Sequence, residues 1–72
     1  MSTQEIIDAE QLGRIVRKYR KQKGITQQEV AVFADVSRLA VSEVETGKTD
    51  VRLSTLLKIL RACSLSITIQ ER

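Results

Sequence analysis

Histidine and proline are absent from this chain of 72 residues, cysteine occurs once, at Cys63, and glycine three times. Without an imidazole there is no histidine base or ligand, and one thiol can build neither an internal disulfide nor a multi-cysteine metal site. A phosphate-cradling glycine loop and paired carboxylates at a plausible pocket are missing as well, so the chain reads as non-enzymatic, with no catalytic residue, metal or cofactor. No run approaches the ~18 apolar residues of a membrane span, and the start carries no basic segment followed by an apolar stretch. A soluble, cytoplasmic protein without a membrane partner is expected.

What the chain does contain suits an ordered, mainly helical globule: 42% apolar residues, 29% charged, and no proline to break a helix. At this length it is one domain, and only roughly 60% of its unfolded surface can be buried on folding, which makes a lone monomer marginal. The formal charge is +3, unevenly spread. Glu5, Asp8 and Glu10 are acidic, whereas Arg14, Arg17, Lys18, Arg20, Lys21 and Lys23 crowd one segment. Such a run is either a solvated helix face or a surface for a polyanion.

Residues 1–7 show no pattern and read as a flexible N-terminal arm. Asp8 can cap a first helix whose apolar positions Leu12, Ile15, Val16 and Tyr19 share one stripe, and Gly24 follows its last turn. Thr26 opens a second helix, because Thr-Gln-Gln-Glu through Glu29 forms a capping box; Val30, Phe33 and Ala34 then point inward. The pattern breaks at Asp35, a residue type that tolerates positive φ, and Ser37 caps a third helix with Ala40, Val41 and Val44 inward. After Gly47 and a short polar loop, Leu53, Leu56, Leu57 and Leu60 give a fourth helix behind a possible Ser54 cap, with Ile59 and Cys63 widening the stripe. A face that broad predicts two neighbours, one of them outside the chain.

From Leu65 the period changes to two. Leu65, Ile67 and Ile69 alternate with Ser66, Thr68 and Gln70, the pattern of a half-buried strand that has no partner within the chain. Pairing with the same strand of a second copy would satisfy its backbone, so a homodimer joined through residues 65–70 is expected. The organisation read from the sequence is thus an arm at 1–7, a domain at 8–64 and a dimerisation strand at 65–72.

Two short helices joined by a tight turn, after a basic helix, form the helix-turn-helix arrangement, in which the second of the pair enters the DNA major groove. At 100° per residue, Ala40, Val41 and Val44 face inward while Arg38, Leu39, Ser42, Glu43 and Thr46 spread outward, with Ser37 and Glu45 at the edges. Arg38 can fork onto guanine, Leu39 can meet a thymine methyl, and Ser42 can donate or accept. Glu43 can accept from cytosine or repel misplaced phosphate. Gln27 and Gln28, in the first turn of the second helix, suit a backbone phosphate, as do Lys48 and Thr46 at the far end of the third. Arg20 and Glu45 border facing apolar stripes, which predicts a partly buried ion pair of structural rather than catalytic use.

Over residues 12–63 the sequence resembles the phage-repressor-like (Cro/XRE) helix-turn-helix family. The resemblance rests on Arg20, Gly24, Thr26, Gln27, Glu29, Ala31, Val36, Ser37, Val41, Ser42, Glu45, Gly47 and Lys48 in the family's relative spacing. It implies a Gln27 that holds the DNA backbone, base contacts at Ser37, Arg38, Leu39, Ser42 and Glu43, and an Arg20–Glu45 pair. Asp35 departs from it, since many members have glycine there. Leu53 to Leu60, followed by Leu65 to Ile69, looks like the HipB-type antitoxins, whose terminal strands pair across a dimer. That likeness implies a repressor of its own operon, a pseudo-palindromic operator and a HipA-like kinase toxin as partner. Half-sites would lie about one turn apart, ~34 Å. A stand-alone phage-type or restriction-modification-type regulator, or an interaction subunit that keeps the fold without binding DNA, are the other readings.

Overall fold

A computed structural model describes residues 3–48 and 50–72, which form four helices: α1 (Ala9–Gln22), α2 (Gln27–Ala34), α3 (Arg38–Glu45) and α4 (Leu53–Ala62). The chain has a mainly α, four-helix architecture. The caps written into the sequence start three of the helices. Asp8 accepts from the Gln11 amide at 2.7 Å and Ser37 from the Ala40 amide at 3.0 Å, while Thr26 and Glu29 exchange the two bonds of a capping box. The fourth start differs from expectation. Arg52, not Ser54, holds the N-cap position of α4, and it makes no side-chain cap bond.

All four helices stop in the same way. The residue after the last turn takes a positive φ at Gly24, Asp35, Gly47 and Ser64, and the amide beyond it reaches back to a carbonyl five residues earlier. Ile25, Val36 and Leu65, which supply three of those amides, also pack against the core. Asp35 therefore fills the glycine role in the turn between α2 and α3, at φ 56° and ψ 49°. An L-residue in that conformation costs roughly 1–2 kcal/mol.

The core consists of Val16, Val30, Ala31, Ala34, Val41, Val44, Ile59, Leu60 and Cys63. Each fully buried Val or Ile there contributes about 1.5–3 kcal/mol. Phe33 does not join them: it stands 67% exposed, and Ala31 takes the inward place expected for it. The inner face of α2 lies against both α3 and α4, and its close packing is filled by small residues. α1 approaches α3 more closely still. A Cβ added at Gly13 would overlap the Val44 carbonyl oxygen and lie 2.7 Å from that of Glu45, so only glycine fits.

At the ends, one expectation also changes, that of the C-terminal strand. Within the arm, Gln11 ties the chain back, accepting from the Ile7 amide at 2.7 Å and donating to the Glu5 carbonyl at 2.8 Å. At the other end, residues 65–70 form no strand; Leu65 packs on the core, while Ile67 and Ile69 are exposed. A strand needs a partner's backbone, and among the described residues the chain supplies none. On α4, Ile59 and Leu60 are buried, but Leu53 and Leu57 remain open to solvent. No helix among the described residues is long and apolar enough to cross a membrane.

Candidate nucleic-acid interface

The outward face of α3 is held up by its inward one. Val41 and Val44 are buried and Ala40 packs beside them, which leaves Arg38, Leu39 and Thr46 exposed and Ser42 and Glu43 half-buried at the flanks. Leu39, 67% exposed on a helix with a well-filled core behind it, has no structural task there. Ser37 spends only its lone pairs on capping Ala40, so its hydroxyl hydrogen stays free to donate. Thr46 differs: its hydroxyl is directed to the Ser42 and Glu43 carbonyls at 2.9 and 3.2 Å, and in this rotamer it is no phosphate donor. Lys48 is exposed just beyond the helix end.

The N-terminus of α2 offers a second group of donors. Thr26 and Glu29 satisfy each other's amides, but the Gln27 and Gln28 amides have no acceptor among the described residues. Gln28 is exposed and Gln27 half-buried. Together with the positive end of the helix dipole, these amides suit an anion. Ser37 caps α3 just past the turn at Asp35, whereas Gln27 and Gln28 lie at the opposite end of α2.

Arg20 and Glu45 lock the two helices to α1. The Arg20 Nε donates to Glu45 Oε2 at 2.6 Å and Nη2 donates to Oε1 at 3.0 Å, a two-pronged pair whose side chains are 11% and 3% exposed. Its Nη1 reaches the Ile25 carbonyl at 2.9 Å, so no buried side-chain donor or acceptor is left unpaired among the described residues. The hydrogen bond to Glu45 raises the Arg20 pKa further above its usual value, against the opposing effect of burial. Cys63 lies close by. Burial pushes its thiol pKa up and the Glu45 carboxylate adds to this, which keeps it an uncharged core residue. Among the described residues no group of histidine, cysteine or carboxylate side chains could hold a metal ion.

Two features of this region go beyond the sequence reading. Gln27 Nε2 donates to Glu45 Oε1 at 3.2 Å, joining the phosphate candidate to the ion pair. Gly13 sets how closely α1 lies to the end of α3. For Gly13 a signal did exist: a glycine inside an otherwise good helix costs about 1 kcal/mol and calls for a packing reason. For the Gln27 contact there was none, since residues 18 positions apart carry no local pattern.

Residues 16–70 match the family model described as Helix-turn-helix. The chain belongs to the helix-turn-helix family. Among relatives, this helix-turn-helix protein is 33% identical over 69 residues to Antitoxin HipB of Escherichia coli (strain K12), across 96% of its own length and 78% of the relative's. Among solved structures, a HipB variant in complex with an O2 20mer matches with a TM-score of 0.87 and 31% identity, covering 97% of each chain. A HipA-HipB-O2-O3 complex gives a TM-score of 0.87 at 30% identity, over 96% of this chain and 97% of that one. Within its family the protein thus sides with the HipB-type antitoxins, in fold and along nearly its whole length.

Proposed function

We propose that this protein is a sequence-specific DNA-binding repressor that works as a homodimer and serves as the HipB-like antitoxin of a toxin–antitoxin pair. The observation that carries this reading is an α3 whose polar and apolar outer face is free while its inner face is pinned by the Arg20–Glu45 pair. Its likeness to HipB supports the rest: one similar structure holds the O2 20mer, which we take to be an operator duplex, and another holds HipA as well. A HipA-like kinase toxin is the protein partner that follows.

In this reading α3 lies in the major groove, with Ser37, Arg38, Leu39, Ser42 and Glu43 against base edges. Gln27, Gln28 and Lys48 hold the phosphate backbone and fix the register; Thr46 joins them only if its hydroxyl turns away from α3. The arm at 1–7 and a segment at 65–72 that would become a strand only on dimerisation flank the reading domain at 8–64. The open leucines of α4 and residues 65–70 meet their counterparts in a second copy, which pairs Leu65, Ile67 and Ile69 across a two-fold axis. Two heads about 34 Å apart then require a pseudo-palindromic operator. The protein performs no chemistry of its own and resides on DNA in the cytoplasm.

Selection from random duplexes tests this directly. A two-fold-related site should emerge, and the logarithm of its affinity should fall linearly with the logarithm of salt, by about 0.9 per neutralised phosphate. Recovery of no preferred site would leave the protein as an interaction subunit.

A further inference from the structure

We infer that Glu45 is a positioning residue for DNA binding: through one hydrogen bond it orients the Gln27 amide, so that the buried ion pair sets the backbone grip as well as the fold. The inference rests on the proposed contact between Gln27 and a DNA phosphate, and deepens it.

Glu45 Oε1 accepts from two side chains, Arg20 Nη2 at 3.0 Å and Gln27 Nε2 at 3.2 Å, while Oε2 is taken by Arg20 Nε at 2.6 Å. The carboxylate therefore cannot turn without breaking the fork. A fixed carboxylate also decides which way the Gln27 amide lies, because the flipped amide would set oxygen against oxygen. One of the two Nε2 hydrogens is thereby committed to Glu45, and the other diverges from it. That second hydrogen belongs to the first residue of α2, where the Gln27 and Gln28 backbone amides also have no acceptor among the described residues. Three donors of one short segment are thus available to one anion.

The physical gain lies in when order is imposed. Glutamine has among the larger side-chain entropies to lose, and here the loss falls on folding instead of on DNA association. The same carboxylate touches α1 through Arg20 and α2 through Gln27, and Arg20 in turn holds the Ile25 carbonyl ahead of α2. Any shift of α3 against α1 would therefore be felt at the phosphate grip.

The experiment is a double-mutant cycle on operator affinity, using the duplex from the selection and proteins verified as folded by circular dichroism. Glu45→Asp keeps the charge and the chance of pairing with Arg20 but draws the carboxylate back from Gln27. Gln27→Ala should weaken binding about tenfold, the loss of one hydrogen bond to a charged group. Glu45→Asp should weaken it about fivefold when Gln27 is present and less than twofold in the Gln27→Ala background, the coupling expected of residues in one network. A purely structural Glu45 would give equal losses in both backgrounds, and that result, or no loss from Gln27→Ala, overturns the inference.

A measurement on the free protein separates this from the functional reading. In nuclear magnetic resonance spectra one Gln27 Nε2 proton should be displaced and slow to exchange, and should revert to the values of a free glutamine in Glu45→Asp. Free-glutamine values in the wild type overturn the inference whatever DNA does. A displaced proton in a protein that binds no DNA overturns the functional reading instead.

Discussion

The two ends of the molecule solve the same problem differently. From α1 to α3 every helix start is capped by a side chain, the helices are joined by turns of a few residues, and no buried side-chain polar atom is left unpaired among the described residues, the Arg20–Glu45 pair included. From α4 onward the helix begins without a side-chain cap, Leu53 and Leu57 face solvent, and Ile67 and Ile69 lie open. The first region caps every helix start and pairs its buried charges within one copy, although Val32, Phe33 and Leu39 stand exposed on it. The second leaves a helix start without a side-chain cap and a terminal segment that pairs with no strand among the described residues. In the proposed dimer, the reading head would belong to the first region and the spacing between heads to the second.

Ending the chain at Ser64 tests the comparison most severely. Sedimentation should then show the dimer converted to monomer while the helical content of the head persists; an unchanged dimer would refute strand pairing. The next largest effect belongs to the head itself. Arg20→Ala leaves the Glu45 carboxylate buried and unmatched, and should cost about 3–5 kcal/mol in chemical denaturation. A normally melting variant would mean that the head does not depend on its brace.

Gly13→Ala sharpens the point, because helix propensity alone favours alanine by about 1 kcal/mol. The added methyl has no room beside the Val44 and Glu45 carbonyls, so the net effect should be a loss of about 1–3 kcal/mol. A rise in melting temperature would show that α1 can move off α3 at little cost. Smallest is Asp35→Gly. It relieves the left-handed aspartate but enlarges the entropy of the unfolded chain, leaving a gain below about 1 kcal/mol by thermal melting.

How much of this is legible in the sequence follows from the range of each interaction. Helix starts at Asp8, Thr26 and Ser37 are written within four residues, and so are the stops at Gly24, Asp35 and Gly47; both are local chemistry. The fourth start is not, because Ser54 looks like a cap and the helix begins two residues too early to use it. Periodicity places Phe33 inward, yet in a helix of eight residues the apolar arc is short, and the space between α3 and α4 decides in favour of Ala31. The outward set on α3 can be projected from its helical period, whereas the bond from Gln27 to Glu45 depends on how two helices cross. Residues 65–70 are a third kind of case. Their alternation predicts a strand, and the described residues form none there, because the pattern alone supplies no backbone to pair with.

The shared ending of the four helices has a consequence for how the protein can change its length. Each turn at Gly24, Asp35 and Ser64 sends the chain from the last carbonyls of a helix straight onto an anchored apolar residue, Ile25, Val36 or Leu65. The stretch between Gln27 and Arg38 is therefore a ruler without slack. One inserted or deleted residue within α2 would turn everything after it by about 100°, carrying Arg38 and Ser42 out of phase with the amides at Gln27 and Gln28. If α3 reads base edges as proposed, new operators are open to this scaffold through exchange of its side chains. They are closed to it through insertion or deletion between Gln27 and Ser42.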